Sequence, residues 1–148
     1  MALYEIYTDG SADTRFGVGA WAYMVYKKGE KGWPLIYRGY DAEEDTTNNE
    51  MELYAVVEAL EMIQKHGGIN SSSVLICSDS QWLIKCLTDL TWYCKSHGSL
   101  FKRIRWFMKN FDIRFKWVKA HARDSRNNAV DALAKATMLQ LREDLYRC

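Results

Sequence analysis

The chain opens on Leu3-Tyr4-Glu5-Ile6-Tyr7-Thr8-Asp9, a run rich in β-branched and aromatic residues that predicts a strand ending at Asp9. Gly10 to Gly19 reads as a loop. Residues 20–28 alternate large and small side chains, and Gly29 to Gly32 supplies a hairpin turn into a third strand over residues 34–40. The period then changes. Apolar residues at 53, 56, 57, 60 and 63 share one face of a helix over residues 50–66, which Gly67-Gly68 stops. Residues 74–78 form a short apolar run, as expected for a strand covered on both faces. Ser80 is placed to cap a helix reaching about Lys95, and a break at Ser96-His97-Gly98-Ser99 leads into another helix to about Asn110. Residues 112–119 alternate as a strand, and a last helix is predicted from about Asn127 to Leu145. The order βββ-αβ-α-α-β-α predicts an α/β fold with a mixed five-stranded sheet, its first three strands antiparallel and helices on both faces.

Composition changes this picture little. A chain of 148 residues fits a single domain over 1–148, and 48% hydrophobic with 26% charged residues is ordinary for a globular protein. No apolar run approaches the roughly 18 residues that a membrane span needs. The strand pattern begins at once, so no leader and a cytoplasmic location are expected. Cys77, Cys86, Cys94 and Cys148 form no CxxC pair and have no histidine at zinc-finger spacing, which predicts reduced thiols. The net charge of +1 hides an asymmetry: residues 1–94 carry a net −7 and residues 95–148 a net +8. Solvated helix faces sorted by sign account for most such patterns. An acidic metal site beside a basic surface for a polyanion is the sharper reading.

Asp9 and Asp79 fall at predicted strand ends, where open α/β sheets place ligands, and Glu52 and Asp131 fall in early turns of two helices. Four carboxylates brought together repel unless a cation neutralises them, and Mg²⁺ suits hard oxygen ligands. Each also has a plain structural reading. Asp9-Gly10 is a common turn pair, and Asp79 can cap the helix that follows it. Glu50 and Glu52 stand three residues after Thr47 and Asn49, as in capping boxes, and Asp131 stands four before Lys135.

The words around these residues decide more. Tyr7-Thr8-Asp9-Gly10-Ser11, Thr46-Thr47-Asn48-Asn49-Glu50-Met51-Glu52-Leu53, Ser78-Asp79-Ser80-Gln81, Trp117-Val118-Lys119-Ala120-His121, Asn127 and Asp131-Ala132-Leu133-Ala134 follow in that order. Together they closely resemble the type 1 ribonuclease H family, from residue 4 to about residue 136. The resemblance implies a ribonuclease H-like fold and an endonuclease that hydrolyses the RNA strand of an RNA–DNA hybrid, leaving 5′-phosphate and 3′-hydroxyl ends. It implies that Asp9, Glu52, Asp79 and Asp131 hold two Mg²⁺ ions, with Mn²⁺ able to substitute, and that His121 assists proton transfer or product release. It further implies that Gly10, Ser11, Asn48, Asn49 and Gln81 read the minor groove while Thr47 grips a DNA phosphate. A monomer with no membrane partner is expected.

The chain departs from the family wording in places. Position 50 is Glu where Arg or Gln is usual, and residues 12–17 lack the frequent Gly-Asn-Pro-Gly wording. The His loop, Ala120-His121-Ala122-Arg123-Asp124, is less glycine-rich than usual. Only 42 positions separate Asp79 from His121, too few for the basic protrusion that some members carry. Lys102, Arg105 and Lys109 share one helical face while Arg103 diverges, and Trp92 and Tyr93 are candidates for a DNA-strand channel or for ordinary packing. Intact chemistry with weaker, salt-sensitive binding is the expectation. Competing readings are a DNA-acting nuclease or strand transferase of the same superfold and a non-catalytic hybrid-binding module. A Mg²⁺-dependent phosphoacceptor domain is a more distant one.

Overall fold

The computed structural model describes residues 1–66, 68–89 and 97–147. Five strands, β1 (Ala2–Asp13), β2 (Val18–Lys27), β3 (Leu35–Glu44), β4 (Ser72–Ser78) and β5 (Asp112–Trp117), form one sheet in the order β3-β2-β1-β4-β5. The first three pair antiparallel, whereas β4 lies parallel to both β1 and β5. Four helices complete the described chain: α1 (Asn48–Lys65), α2 (Gln81–Thr88), α3 (Gly98–Asn110) and α4 (Ser125–Tyr146). The mixed sheet and its element order agree with the sequence reading.

The alternation of strand residues assigns the helices to the two faces. Tyr4 and Ile6 of β1, with Trp21, Tyr23 and Val25 of β2, pack into a large core with α1, α2 and α3. The residues in between, Tyr7, Ala22 and Met24, pack with Val130 and Ala134 of α4 on the opposite face. Phe101, Ile104 and Phe107 fix α3 in the larger core, as expected for that helix's apolar side.

Two strands run four residues past the sequence expectation, and β5 stops at Trp117, two residues short of it. The first strand does not end at Asp9 but continues to Asp13, with Gly10, Ser11 and Ala12 paired to Trp21, Ala20 and Gly19. These small residues have weak strand propensity, and the partner strand overrides it. The third strand likewise runs to Glu44 because its pairing with β2 continues to Val18. The helix after Ser80 ends at Thr88, where Asp89 is an extended C-cap, so it does not run unbroken to Lys95 as expected. The next helix starts at Gly98, inside the expected break at Ser96-His97-Gly98-Ser99. Trp92, Tyr93, Cys94, Ser96, Cys148 and Gly67 lie outside the described residues.

The expectation of reduced thiols needs one correction: Cys86 is disulfide-bonded, while Cys77 is free and buried. Spatial proximity governs disulfide pairing, and a missing CxxC spacing does not forbid it. Among the described residues no helix is long and apolar enough to cross a membrane.

Candidate metal centre

Parallel pairing of β1 with β4 aligns Tyr7 with Cys77. Two residues further along each strand, Asp9 and Asp79 come abreast, just past the last β1–β4 pair and on the same side of the sheet. Asp9 is therefore mid-strand in the β1–β2 hairpin, yet it stands where β4 ends and the sheet opens. Asp79 follows β4 directly and does not cap α2. That role belongs to Ser80, whose side chain accepts from the Leu83 N–H at 3.1 Å.

Glu52 arrives from α1. Thr47 caps that helix by accepting from the Glu50 N–H at 3.2 Å. Asn48 ties the same turn to β1, its Oδ1 accepting from the Ala12 N–H at 2.6 Å. Gly10 lets the two elements meet. A Cβ there would stand about 2.5 Å from the Met51 carbonyl carbon, closer than real Cβ atoms come. Without that atom α1 comes close enough to β1 to set Glu52 against Asp9. One oxygen each of Asp9, Glu52 and Asp79 lie within 4.8 Å of one another.

Asp131 approaches from α4, on the sheet face opposite α1, close enough to Asp9 to push the Asp9 carboxyl up. Among the described residues it makes no ion pair with Lys135, so the plain helix-pair reading fails. Asn127, one turn earlier on α4, is buried and donates Nδ2–H to Asp79 Oδ2 at 3.3 Å. Trp117 at the end of β5 donates its indole N–H to the Asp79 carbonyl oxygen at 3.1 Å. Both residues belong to the motif words, but sequence reading gave them no site role. The spacing of Asn127 and Asp131, one helical turn, was the available signal for the first. No sequence pattern announces the second contact, because it depends on β5 lying beside β4.

The electrostatics of this cluster are those of a site short of positive charge. Burial pushes the Asp9 carboxyl up to about 8, reinforced by the Asp131 hydrogen bond and the charges of Asp79 and Asp131, while the Glu52 hydrogen bond pulls it down. Glu52 is raised well above the carboxylate range, first by burial and then by the charges of Asp9 and Asp79. Glu52 Oε2 is buried and has no hydrogen-bond partner among the described residues. Such an oxygen, inside a cluster of acceptors, is satisfied by a proton or a cation. The donor set is all hard oxygen, which fits Mg²⁺ or Mn²⁺ rather than a thiophilic metal.

The other expected residues lie around the rim. Thr47, Asn48 and Asn49 are exposed in the first turn of α1, and Gln81 is exposed at the start of α2. Ser11 is half-buried, its hydroxyl 3.5 Å from the Met138 sulfur. His121 is exposed in the loop between β5 and α4, in a left-handed backbone conformation (φ 55°). Among the described residues no hydrogen bond or ion pair joins it to the carboxylates. The structure thus gathers Asp9, Glu52 and Asp79, sets Asp131 beside Asp9, and leaves His121 outside the cluster.

Comparisons with known proteins agree with this geometry. The family model for RNase H matches residues 2–138. A ribonuclease H of Campylobacter jejuni is 34% identical over 145 residues, covering 95% of this chain and 94% of that protein. One from Hahella chejuensis is 35% identical over 147 residues, covering 90% and 92%. In fold, the chain resembles the N-terminal RNase H domain of a Mycobacterium tuberculosis protein, with a TM-score of 0.78 at 19% identity over 98% of this chain and 99% of that one. It also resembles LC11-RNase H1, solved in complex with an RNA/DNA hybrid, with a TM-score of 0.77 at 20% identity over 93% and 98%. The match across nearly the whole chain, together with the carboxylates its folding brings together, shows that this protein belongs to the ribonuclease H family.

Proposed function

We propose that this domain is an endonuclease that hydrolyses the RNA strand of RNA–DNA hybrids by two-metal-ion phosphodiester hydrolysis, leaving 5′-phosphate and 3′-hydroxyl ends. The observation that carries this reading is the convergence of Asp9, Glu52 and Asp79, with Asp131 beside Asp9, at a buried Glu52 oxygen unpartnered among the described residues, in a chain of this family. These four residues would hold Mg²⁺, for which Mn²⁺ can substitute. When bound, the ions supply Lewis-acid assistance to the attacking water and to the leaving oxygen.

The chain's own residues do the rest. Asn127 and Trp117 hold Asp79 from its side chain and its backbone, so that carboxylate keeps one orientation. Gly10 and the Thr47 cap fix the approach of α1 and with it Glu52. Exposed Thr47, Asn48, Asn49 and Gln81, with Gly10 and Ser11 beside them, are assigned to the hybrid. Short side chains that both donate and accept suit 2′-hydroxyls in a shallow groove. His121, exposed and outside the cluster, is assigned a proton-transfer or product-release role from the solvent side. Exposed Lys102, Arg105 and Lys109 on α3 supply part of the electrostatic hold on the polyanion. The domain is expected to act as a cytoplasmic monomer.

Matched substrates separate this reading from its rivals. With Mg²⁺ present, hybrid should be cut in its RNA strand while double-stranded DNA and double-stranded RNA survive. Cleavage of the DNA duplex instead would favour a DNA-acting enzyme of the same fold, and binding of hybrid without cleavage would favour a non-catalytic module.

A further inference from the structure

Glu50 places a carboxylate in the same turn of α1 as Thr47, Asn48 and Asn49, which the proposed function assigns to the hybrid. A negative charge there opposes a phosphate backbone. Among the described residues two groups meet it: the Thr46 hydroxyl donates to Oε1 at 3.1 Å, and His97 Nδ1 stands 3.7 Å from Oε2. His97 is an unusual choice for its own position. It precedes α3 as the N-cap residue, yet its side chain makes no capping hydrogen bond. Ser, Thr, Asp, Asn or Gly is favoured at such a place. Its backbone is also left-handed (φ 59°), a conformation costly for a residue with a Cβ. Gly or Asn would suit both the cap and the backbone better. The imidazole is turned to Glu50 and packs edge-to-face on Trp82, with ring centres 6.4 Å apart, and its side chain is only 20% exposed. The ring is thus held against Glu50 at a position where local stability favours another residue.

We propose that His97 is a positioning residue for substrate binding, covering the Glu50 carboxylate so that the first turn of α1 can face the hybrid's phosphate backbone. This rests on the hybrid-cleavage reading. It assigns His97 no contact with the reacting atoms. Its effect passes through Glu50, so the harm done by removing His97 depends on Glu50 being charged.

That dependence gives a test that a merely structural role would not pass. His97→Gly is compatible with the left-handed backbone, and His97→Asn, which tolerates the same conformation, is the second variant. KM and kcat for a labelled hybrid would be measured in wild type, His97→Gly, Glu50→Gln and the double variant, with melting curves to confirm folding. A carboxylate exposed near phosphates should raise KM roughly three- to tenfold in His97→Gly, leaving kcat within about twofold. Glu50→Gln alone should bind as well as wild type or better, and in the double variant it should return KM to the wild-type value. The inference is overturned if the double variant binds as weakly as His97→Gly, or if both His97 variants match wild type. A wild type that cuts no hybrid is a separate result, and it would remove the proposed function together with this inference.

Discussion

The missing Gly10 side chain leaves the space that the backbone of α1 occupies at Met51 and Glu52, where a Cβ on Gly10 would collide with the Glu52 backbone nitrogen. One residue thus positions the buried glutamate by absence of bulk. Gly10→Ala should push α1 away from β1 and Glu52 away from Asp9. Overpacking of this kind costs about 1–3 kcal/mol, visible as a lowered melting temperature. Cleavage should fall by more than the stability loss alone explains. A Gly10→Ala variant with wild-type melting and wild-type kcat would show that the close approach is unimportant.

Asp9 is buried among carboxylates, with no cationic partner among the described residues. Asp9→Asn should therefore make the metal-free protein more stable, by on the order of 1 kcal/mol, by removing like-charge repulsion. It should abolish cleavage while preserving hybrid binding. The same change should erase most of the thermal stabilisation that Mg²⁺ gives the wild type, since ligand binding to the folded state alone raises stability. Melting curves with Mg²⁺ and with EDTA check both statements.

The raised carboxyl groups also fix the sign of a pH dependence. Asp9 is held at about 8 and Glu52 is raised as well, so between pH 4 and 8 the folded protein binds more protons than the unfolded chain. The contribution of these two groups to metal-free stability should therefore fall as pH rises through that window. Metal binding requires deprotonated ligands, so the Mg²⁺-induced gain in melting temperature should grow over the same range. Denaturant titrations in EDTA at several pH values measure the first trend. Metal-free stability that rose from pH 5 to pH 8 would contradict the electrostatic account of the site.

The cations of α3 divide into two kinds. Arg103 pairs with Glu61 of α1 at 2.9 Å, and its guanidinium lies over the Trp106 and Phe107 rings at 4.8 and 4.6 Å. Arg103→Ala should lower stability by about 1 kcal/mol, with a drop of roughly 2–4 °C in Tm, and should leave hybrid affinity almost unchanged. Replacing exposed Lys102, Arg105 and Lys109 together should do the reverse. It should spare Tm, weaken hybrid binding and flatten its dependence on salt. Binding titrations at several salt concentrations separate the two groups.

Much of this was legible in the residues. Period-2 alternation and the shift to helical spacing after Glu50 mark the strands and α1, because they report which side of each element is buried. The four carboxylates were ambiguous one at a time: Thr47 does cap α1 with the Glu50 N–H, while Asp79 does not cap α2, which Ser80 caps as its position predicts. What sequence reading missed depends on contacts between distant elements. The extension of β1 through Gly10 comes from pairing with β2, and the hold of Trp117 on Asp79 comes from β5 lying beside β4. The partnership of Glu50 with His97 links two helices whose meeting no local pattern encodes.

The central claim is that the buried carboxylates form a metal-dependent site for cutting RNA in a hybrid. Incubating the purified protein with a hybrid labelled separately on each strand, with Mg²⁺ and with EDTA, tests it most directly. The account predicts cleavage of the RNA strand alone, products ending in 5′-phosphate and 3′-hydroxyl, and no cleavage in EDTA or by Asp9→Asn. An intact hybrid with both Mg²⁺ and Mn²⁺, or equal cleavage in EDTA, would contradict it.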